Sequence, residues 1–390
     1  MQKSPSEKTK LPHGWRQVAL EKIASVISGQ SPTSDTYRKE PEGLPFFQGK
    51  AGFGQVSPTA RVWCVAPKTI AKPGDILISV RAPVGPTNVA DVECCIGRGL
   101  AAIRCGNSVE RDFVLFFMKF HEHEISQMGT GSTFGAISRK HLLNIQIPLP
   151  SLPEQKRVVA VLNKQMAAVE VARGAALERV EAARALPSAW LREVFSFGGG
   201  GLPRGWQWVA LGNVADYVNG KAFKPAEWQS SGLPIVRIQN LNNDSASYNY
   251  YSGNVQDRYL IKDGDLLVSW SASLDAFIWN RGDAILNQHI FKVVENPSLV
   301  ERKFLYFSIK NAMDTIKNQV HGATMQHITK PAFESVKIPL PPLTEQKRLI
   351  SSLNAKMATT EKIRVAAEAE LEAITALPAA LLREAFSGAL

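Results

Sequence analysis

Apolar residues recur at steps of three and four through two long stretches. In the first, Val159, Leu162, Met166, Val169, Ala176, Val180 and Ala183 follow this spacing; in the second, Ile350, Leu353, Met357, Ala367, Leu371 and Ile374 do, with Thr360 on the same line. The spacing puts them on one helical face and predicts an a/d seam in each stretch. Arg173 and Arg364 interrupt the seam at the same heptad place. Such a residue either fixes register and partner orientation or snorkels out of a loose seam. Pro187 and Pro378 should kink or restart each helix before its end. The seams are best buried against each other as an antiparallel pair. Residues 158–185 at ~1.5 Å per residue would make a rod of roughly 40 Å.

Elsewhere the pattern shortens. Runs such as GDILISVR, GLAAIRC and NIQIPL are β-rich and bounded by turn residues, and RDFVLFFMKFHEHEISQM is helical in composition. The same rhythm fills residues 11–150 and 202–341, so each is expected to be an α+β globule with a curved sheet.

The chain repeats itself. LPHGWRQVAL (11–20) returns as LPRGWQWVAL (202–211), and IPLPSLPEQKR (147–157) as IPLPPLTEQKR (338–348). ALPSAWLREVFS (185–196) returns as ALPAALLREAFS (376–387), all at an offset of 191. Residues 147–196 share 28 of 50 positions with 338–387. PGDILISV (73–80) still matches DGDLLVSW (263–270), but most of the remaining sequence diverges. A constant frame around a variable globule, present twice, implies a pseudo-twofold molecule rather than a solenoid. The divided chain reads as a first globule over 1–150 with a short polar tail, a spacer helix over 151–196, a Gly-rich linker over 197–201, a second globule over 202–341 and a second spacer helix over 342–390. Pseudo-symmetry brings Ser387 near Leu11.

Composition narrows the function. With 390 residues, 45% hydrophobic and 21% charged, the chain can bury real cores. No run approaches ~18 consecutive apolar residues and the polar N-terminus lacks a secretory core, so a soluble cytoplasmic protein with no membrane contact is expected. Cys64, Cys94, Cys95 and Cys105 form no CxxC pair and read as reduced, mostly buried thiols. The net charge of +10 is spread thinly, which suits a polyanionic partner without demanding one. GLPFFQGKA (43–51) has the wrong spacing for a P-loop. No Gly-rich cofactor loop and no nucleophile elbow occur. The chain reads as a recogniser and scaffold, with no catalytic, cofactor or metal residues of its own.

Candidate contacts to DNA follow from residue chemistry. Gln48 and Lys50 come directly after an apolar strand, as Arg237, Gln239 and Asn240 do after LPIV. Arg81 and Arg98 sit beside Gly or Pro at expected loop tips, and Arg to guanine is the commonest specific base contact. Tyr250 lies in a polar, aromatic stretch (240–259) that could read base edges or be a solvated loop. GTGSTFGAISRKHL (129–142) aligns with VHGATMQHITKPAF (320–333), offering Ser132, Thr133, Arg139 and Lys140, and Thr324, Gln326, His327 and Lys330. Small and hydroxyl residues there suit close approach to phosphate, or merely cap a helix.

Two variable domains, each opened by LP-x-GW and followed by IPLP-x-L-x-EQKR and a long helix, closely resemble the specificity (S) subunit of type I restriction-modification systems, over nearly the whole chain. The resemblance implies two target recognition domains, each reading one half of a split double-stranded DNA site. It implies paired helices that act as a ruler and dock two modification subunits. Those carry S-adenosylmethionine and methylate adenine; restriction subunits, using ATP and Mg, join the full complex. The competing reading is a non-DNA adaptor whose coiled pair binds a protein partner; an enzyme acting alone is a third.

Overall fold

The computed structural model describes residues 11–129, 135–197, 201–271, 273–320 and 327–387, with backbone only at 314, 315 and 317–320. Contacts divide the chain into two units, Met1–Leu177 with Glu370–Leu390, and Glu178–Ala369. Among the described residues no helix is long and apolar enough to cross a membrane.

The first unit holds two sheets and a ribbon, where the sequence suggested one curved sheet. Strands Ala24–Ser28, Leu100–Cys105, Ile76–Ser79 and Thr87–Val89 form an antiparallel sheet in that order. A second sheet orders Tyr37–Arg38, Trp63–Cys64, Leu44–Phe47, Cys94–Ile96 and Ile70–Ala71. Within it Leu44–Phe47 and Cys94–Ile96 run parallel, Phe46 opposite Cys95 and Phe47 opposite Ile96. Strands this short cannot each cover a globule, so two small sheets share the core. Arg16–Ala19 pairs with Gln146–Leu149 and so ties the LP-x-GW opening to the IPLP closing.

The second unit repeats the plan. Ala215–Asn219, Ile290–Glu295, Leu266–Ser269 and Asp275–Ile278 form one sheet, and Asn249–Tyr251, Leu233–Val236, Ala284–Leu286 and Leu260–Ile261 the other. Leu233–Val236 and Ala284–Leu286 are again the parallel pair. Gln207–Ala210 closes on Lys337–Leu340.

The long helices run Leu152–Phe195 and Leu343–Ser387. Neither restarts at its proline: Pro187 and Pro378 lie inside. Proline costs a helix one hydrogen bond, and the segments beyond are held by burial. Leu191 and Phe195 sit in the core of the second unit. Leu382, Ala385 and Phe386 sit in the core of the first, with Val158, Val159 and Leu162. Each globule is therefore completed by the start of its own copy's helix and the end of the other copy's. The Phe386 ring lies 5.3 Å from that of Phe113, which also meets Trp15 of the first LP-x-GW at 5.8 Å, so both pack on the same phenylalanine. Phe195 meets Phe304 at the matching place, also at 5.3 Å.

Within the second unit the helices are antiparallel. Arg184 pairs with Glu368, Trp190 Nε1 donates to Thr360 Oγ1 and Lys356 pairs with Glu193, partners falling as the first helix advances. Arg364 binds Glu361 and Glu368, so Glu368 bridges two arginines on different helices. Arg364 thus joins a cross-helix network, whereas Arg173 pairs locally with Glu170.

The repeated EQKR also acquires a reason. Gln155 is buried; its Oε1 accepts from the Glu110 N–H (2.8 Å), and its Nε2 donates to Pro150 O. Glu110 precedes helix Arg111–Phe120, whose first amides lack intrahelical partners. Gln346 does the same for Glu301, before helix Arg302–Val320. All four cysteines are free thiols. Burial pushes Cys94 and Cys105 up to about 12, and Cys95 to about 11.

Candidate nucleic-acid interface

The parallel strand pair brings two segment ends together. Beyond Phe47 and Ile96 the backbones stay bonded: Gly97 N donates to Phe47 O (2.9 Å) and Gly99 N to Gln48 O (3.1 Å). A Cβ on Gly97 would collide with Gln48 Oε1, and one on Gly99 with Gln48 O. The glycines around Arg98 therefore admit the Gln48 segment at close range. The ladder continues, Val80 N donating to Gly99 O and Ile137 N to Val80 O. Four segments lie side by side, carrying Gln48, Arg98, Arg81 and, just beyond Ile137, Arg139 and Lys140 (all exposed). Lys50, also exposed, follows Gln48 in a single 3-10 turn.

The second unit repeats three of these four bonds. Asn287 N donates to Val236 O, Trp270 N to His289 O and Ile328 N to Trp270 O. Arg81 bridges to Ala136 in the first unit as Ser271 does to His327 in the second. Rung for rung, Arg237 stands near the place of Gln48, Gln288 that of Arg98, Ser271 that of Arg81, and Lys330 that of Arg139. The frame is shared and the side chains are not.

The candidates differ in freedom. Arg139 Nε donates to Val26 O, so part of its guanidinium fastens helix Arg139–Leu143 to the sheet. Arg237 lies over the Trp228 ring at 5.4 Å. Lys330 pairs with Glu334. Gln239 and His327 are exposed, and Tyr250 is half-buried in its strand. Ser132, Thr133, Thr324 and Gln326 lie outside the described residues.

Asn240 requires correction. It is fully buried; its Oδ1 accepts from Arg237 N (3.1 Å), and its Nδ2 donates to Ala246 O and Ser247 O. It closes the turn after helix Ile238–Asn242 and has no edge left for a base. Asn240→Ala is expected to cost about 1–3 kcal/mol, the range for orphaning buried polar groups, read as a lower urea midpoint.

Sequence reasoning missed Ser31, Arg61, Gln288 and His289. Gln288 was within reach, since the 190-residue offset of the DGD segment places it opposite Arg98. Ser31 and Arg61 carried no signal; only the fold brings them to Gln48. Among the described residues no three His, Cys, Asp or Glu side chains converge as a metal site would require.

A family model described as the type I restriction modification DNA specificity domain matches residues 12–181 and again 203–373. The chain belongs to this family. Its specificity-domain copies start at the two LP-x-GW openings. Among relatives, a putative type I restriction enzyme MjaX specificity subunit of Methanocaldococcus jannaschii is 43% identical over 171 residues, 43% of this chain and 40% of that protein. The chain thus spans under half the length of that relative. The EcoKI specificity subunit of Escherichia coli K12 is 24% identical over 430 residues, covering 98% of this chain and 90% of its own. A like fold occurs in a chain solved in a study of complex assembly and conformational transition of the type I R-M system. It has a TM-score of 0.82 and 23% identity, covering 98% of this chain and 100% of that one. The HsdS subunit of Thermoanaerobacter tengcongensis gives a TM-score of 0.67 at 24% identity, covering 98% and 99%.

Proposed function

We propose that this chain is the DNA-recognition subunit of a type I restriction-modification complex, reading a bipartite, asymmetric double-stranded site. One observation carries the reading: both units build a like ladder of segment ends and then place different donors and acceptors on it. Matching frames give both halves a like docking geometry, and unlike side chains give each its own sequence.

In this reading residues 1–150 and 202–341 are the recognition domains, 151–196 and 342–390 the spacer helices, and 197–201 the linker. The helices set the gap between half-sites and seat two modification subunits, which hold S-adenosylmethionine and methylate adenine. Restriction subunits bring ATP and Mg; no chemistry is assigned to this chain. The complex works in the cytoplasm, where its DNA is. Lys50, Arg81, Lys140 and their counterparts reach phosphates or base edges. Adenine must leave the stack to be methylated, so the assembled complex distorts its DNA.

Methylome sequencing of cells carrying the intact system tests this. The expected result is one adenine-methylated motif with two unlike halves and a fixed gap; a palindromic motif, or none, rejects it. Inserting four residues, ~6 Å of helix, into both long helices should lengthen the preferred gap, and an unchanged gap rejects the ruler.

A further inference from the structure

We infer that the edge of the first unit selects guanine, with Arg98 as the base-reading residue and Ser31 as the residue that positions Gln48 beside it; this rests on the DNA reading above. The two segment ends open onto a bowl of about 710 Å3 lined by Ser31, Tyr37, Phe47, Gln48, Arg61 and Arg98. The Ser31 hydroxyl has one hydrogen, given to Gln48 Oε1 (2.9 Å), while its oxygen accepts the Arg98 N–H (3.2 Å). The amide oxygen is thereby engaged, and among the described residues the NH2 end has no hydrogen-bond partner. Among the described residues the guanidinium groups of Arg61 and Arg98 have no carboxylate partner, and no Asp or Glu lines the bowl. The two guanidinium groups and the Gln48 NH2 offer hydrogens, with the Tyr37 and Thr59 hydroxyls beside them.

A major-groove edge that meets such a rim must supply acceptors. Guanine presents N7 and O6 side by side, whereas adenine and cytosine each present an amino group. An amino group would set donor against donor and lose its water for nothing. Arg98 is also the residue type whose planar fork matches guanine's two acceptors. The second unit differs at the equivalent rung. Gln288 replaces Arg98 and hydrogen-bonds His289 Nε2 (3.0 Å), and Arg237 is stacked on Trp228. That edge carries acceptors as well as donors, so its half-site need not contain guanine at the matching place.

Phosphate oxygens are acceptors too, and the test separates them from a base. Methylome sequencing compares the intact system carrying the wild-type chain, Arg98→Ala, Arg98→Lys and Ser31→Ala. The wild type is expected to require a guanine in one half-site. Arg98→Ala and Arg98→Lys should each cut the preference for that guanine by about tenfold or more, the discrimination of a bidentate pair, and leave the other half-site unchanged. Ser31→Ala frees the Gln48 amide to turn and should relax a neighbouring position in the same half-site, with Ser31→Thr restoring it. Arg98 is exposed and, among the described residues, its side chain makes no hydrogen bond or ion pair, so the variants are expected to assemble. If Arg98→Ala lowers methylation at every site with the motif unchanged, and Arg98→Lys restores it, Arg98 binds phosphate and the inference fails. A relaxed position that is not guanine defeats it equally. A wild-type system with no bipartite motif defeats the parent reading instead, a distinct result.

Discussion

Phe386→Ala is expected to lower the stability of the first unit by about 3–4 kcal/mol, within the range for a buried phenylalanine cut to alanine, while the second unit unfolds as before. The residue stands four places from the end of the chain, yet it is 9% exposed. Its ring lies 5.3 Å from Phe113, 5.5 Å from Phe117 and 5.7 Å from Phe120. Those rings belong to the first copy, and Phe386 belongs to the second. Its removal leaves a hole among aromatic rings on a helix that also carries Val114 and Met118 into the same core. Hydrogen exchange on the purified complex locates the damage. Protection should fall at Arg111–Phe120 and Gln146–Leu149 and persist at Leu266–Ser269. Phe195→Ala should do the reverse, through Phe304. If Phe386→Ala loosened residues 302–309 instead, the exchange of helix ends between copies would be wrong.

That exchange explains what could and could not be read from the sequence. The 191-residue offset, the seam and the helix composition are local or self-similar signals, and they give the architecture directly. The seam of the first long helix is buried as expected at Leu162, Val169, Ala176, Val180 and Ala183. Neither proline restarts its helix, because the effect of a proline depends on what holds the turn beyond it. Leu191 and Leu382 hold those turns, each anchored in a core most of whose members lie far away in sequence. The EQKR repeat gave no sign of the role of Gln155 and Gln346, because nothing local shows that they reach 45 residues back to the amide before another helix. In the candidate site, Gln48 and Arg98 were legible from their places after an apolar strand and between two glycines. Asn240 was misread because the amide that suits a base edge also suits a turn. Ser31 and Arg61 were invisible, since tertiary contact alone brings them to the rim.

Asp75→Asn should be nearly as damaging to the first unit, at about 2–3 kcal/mol. Asp75 is buried and accepts two bonds from Arg104, Nε at 2.9 Å and Nη2 at 2.7 Å, with a third from Lys72 N at 2.8 Å. Gly74 before it has φ +88, a conformation that favours glycine, so the turn that aims Asp75 is itself specified. The amide is isosteric but neutral, and turns an NH2 toward a donor. Breaking a fully buried pair costs about 3–5 kcal/mol; Arg104 is 35% exposed, so water recovers part of the loss. The second unit offers the matched control. Asp265 follows Gly264 at φ +90, accepts from Lys262 N and pairs with Lys292 at 3.0 Å. Asp265→Asn should therefore destabilise the second unit by a similar amount, and urea unfolding followed by hydrogen exchange would assign each loss to its own unit. Equal effects would establish the repeated GD segment as a structural clamp under both recognition edges; no loss in either unit would leave the match between PGDILISV and DGDLLVSW without this physical reason.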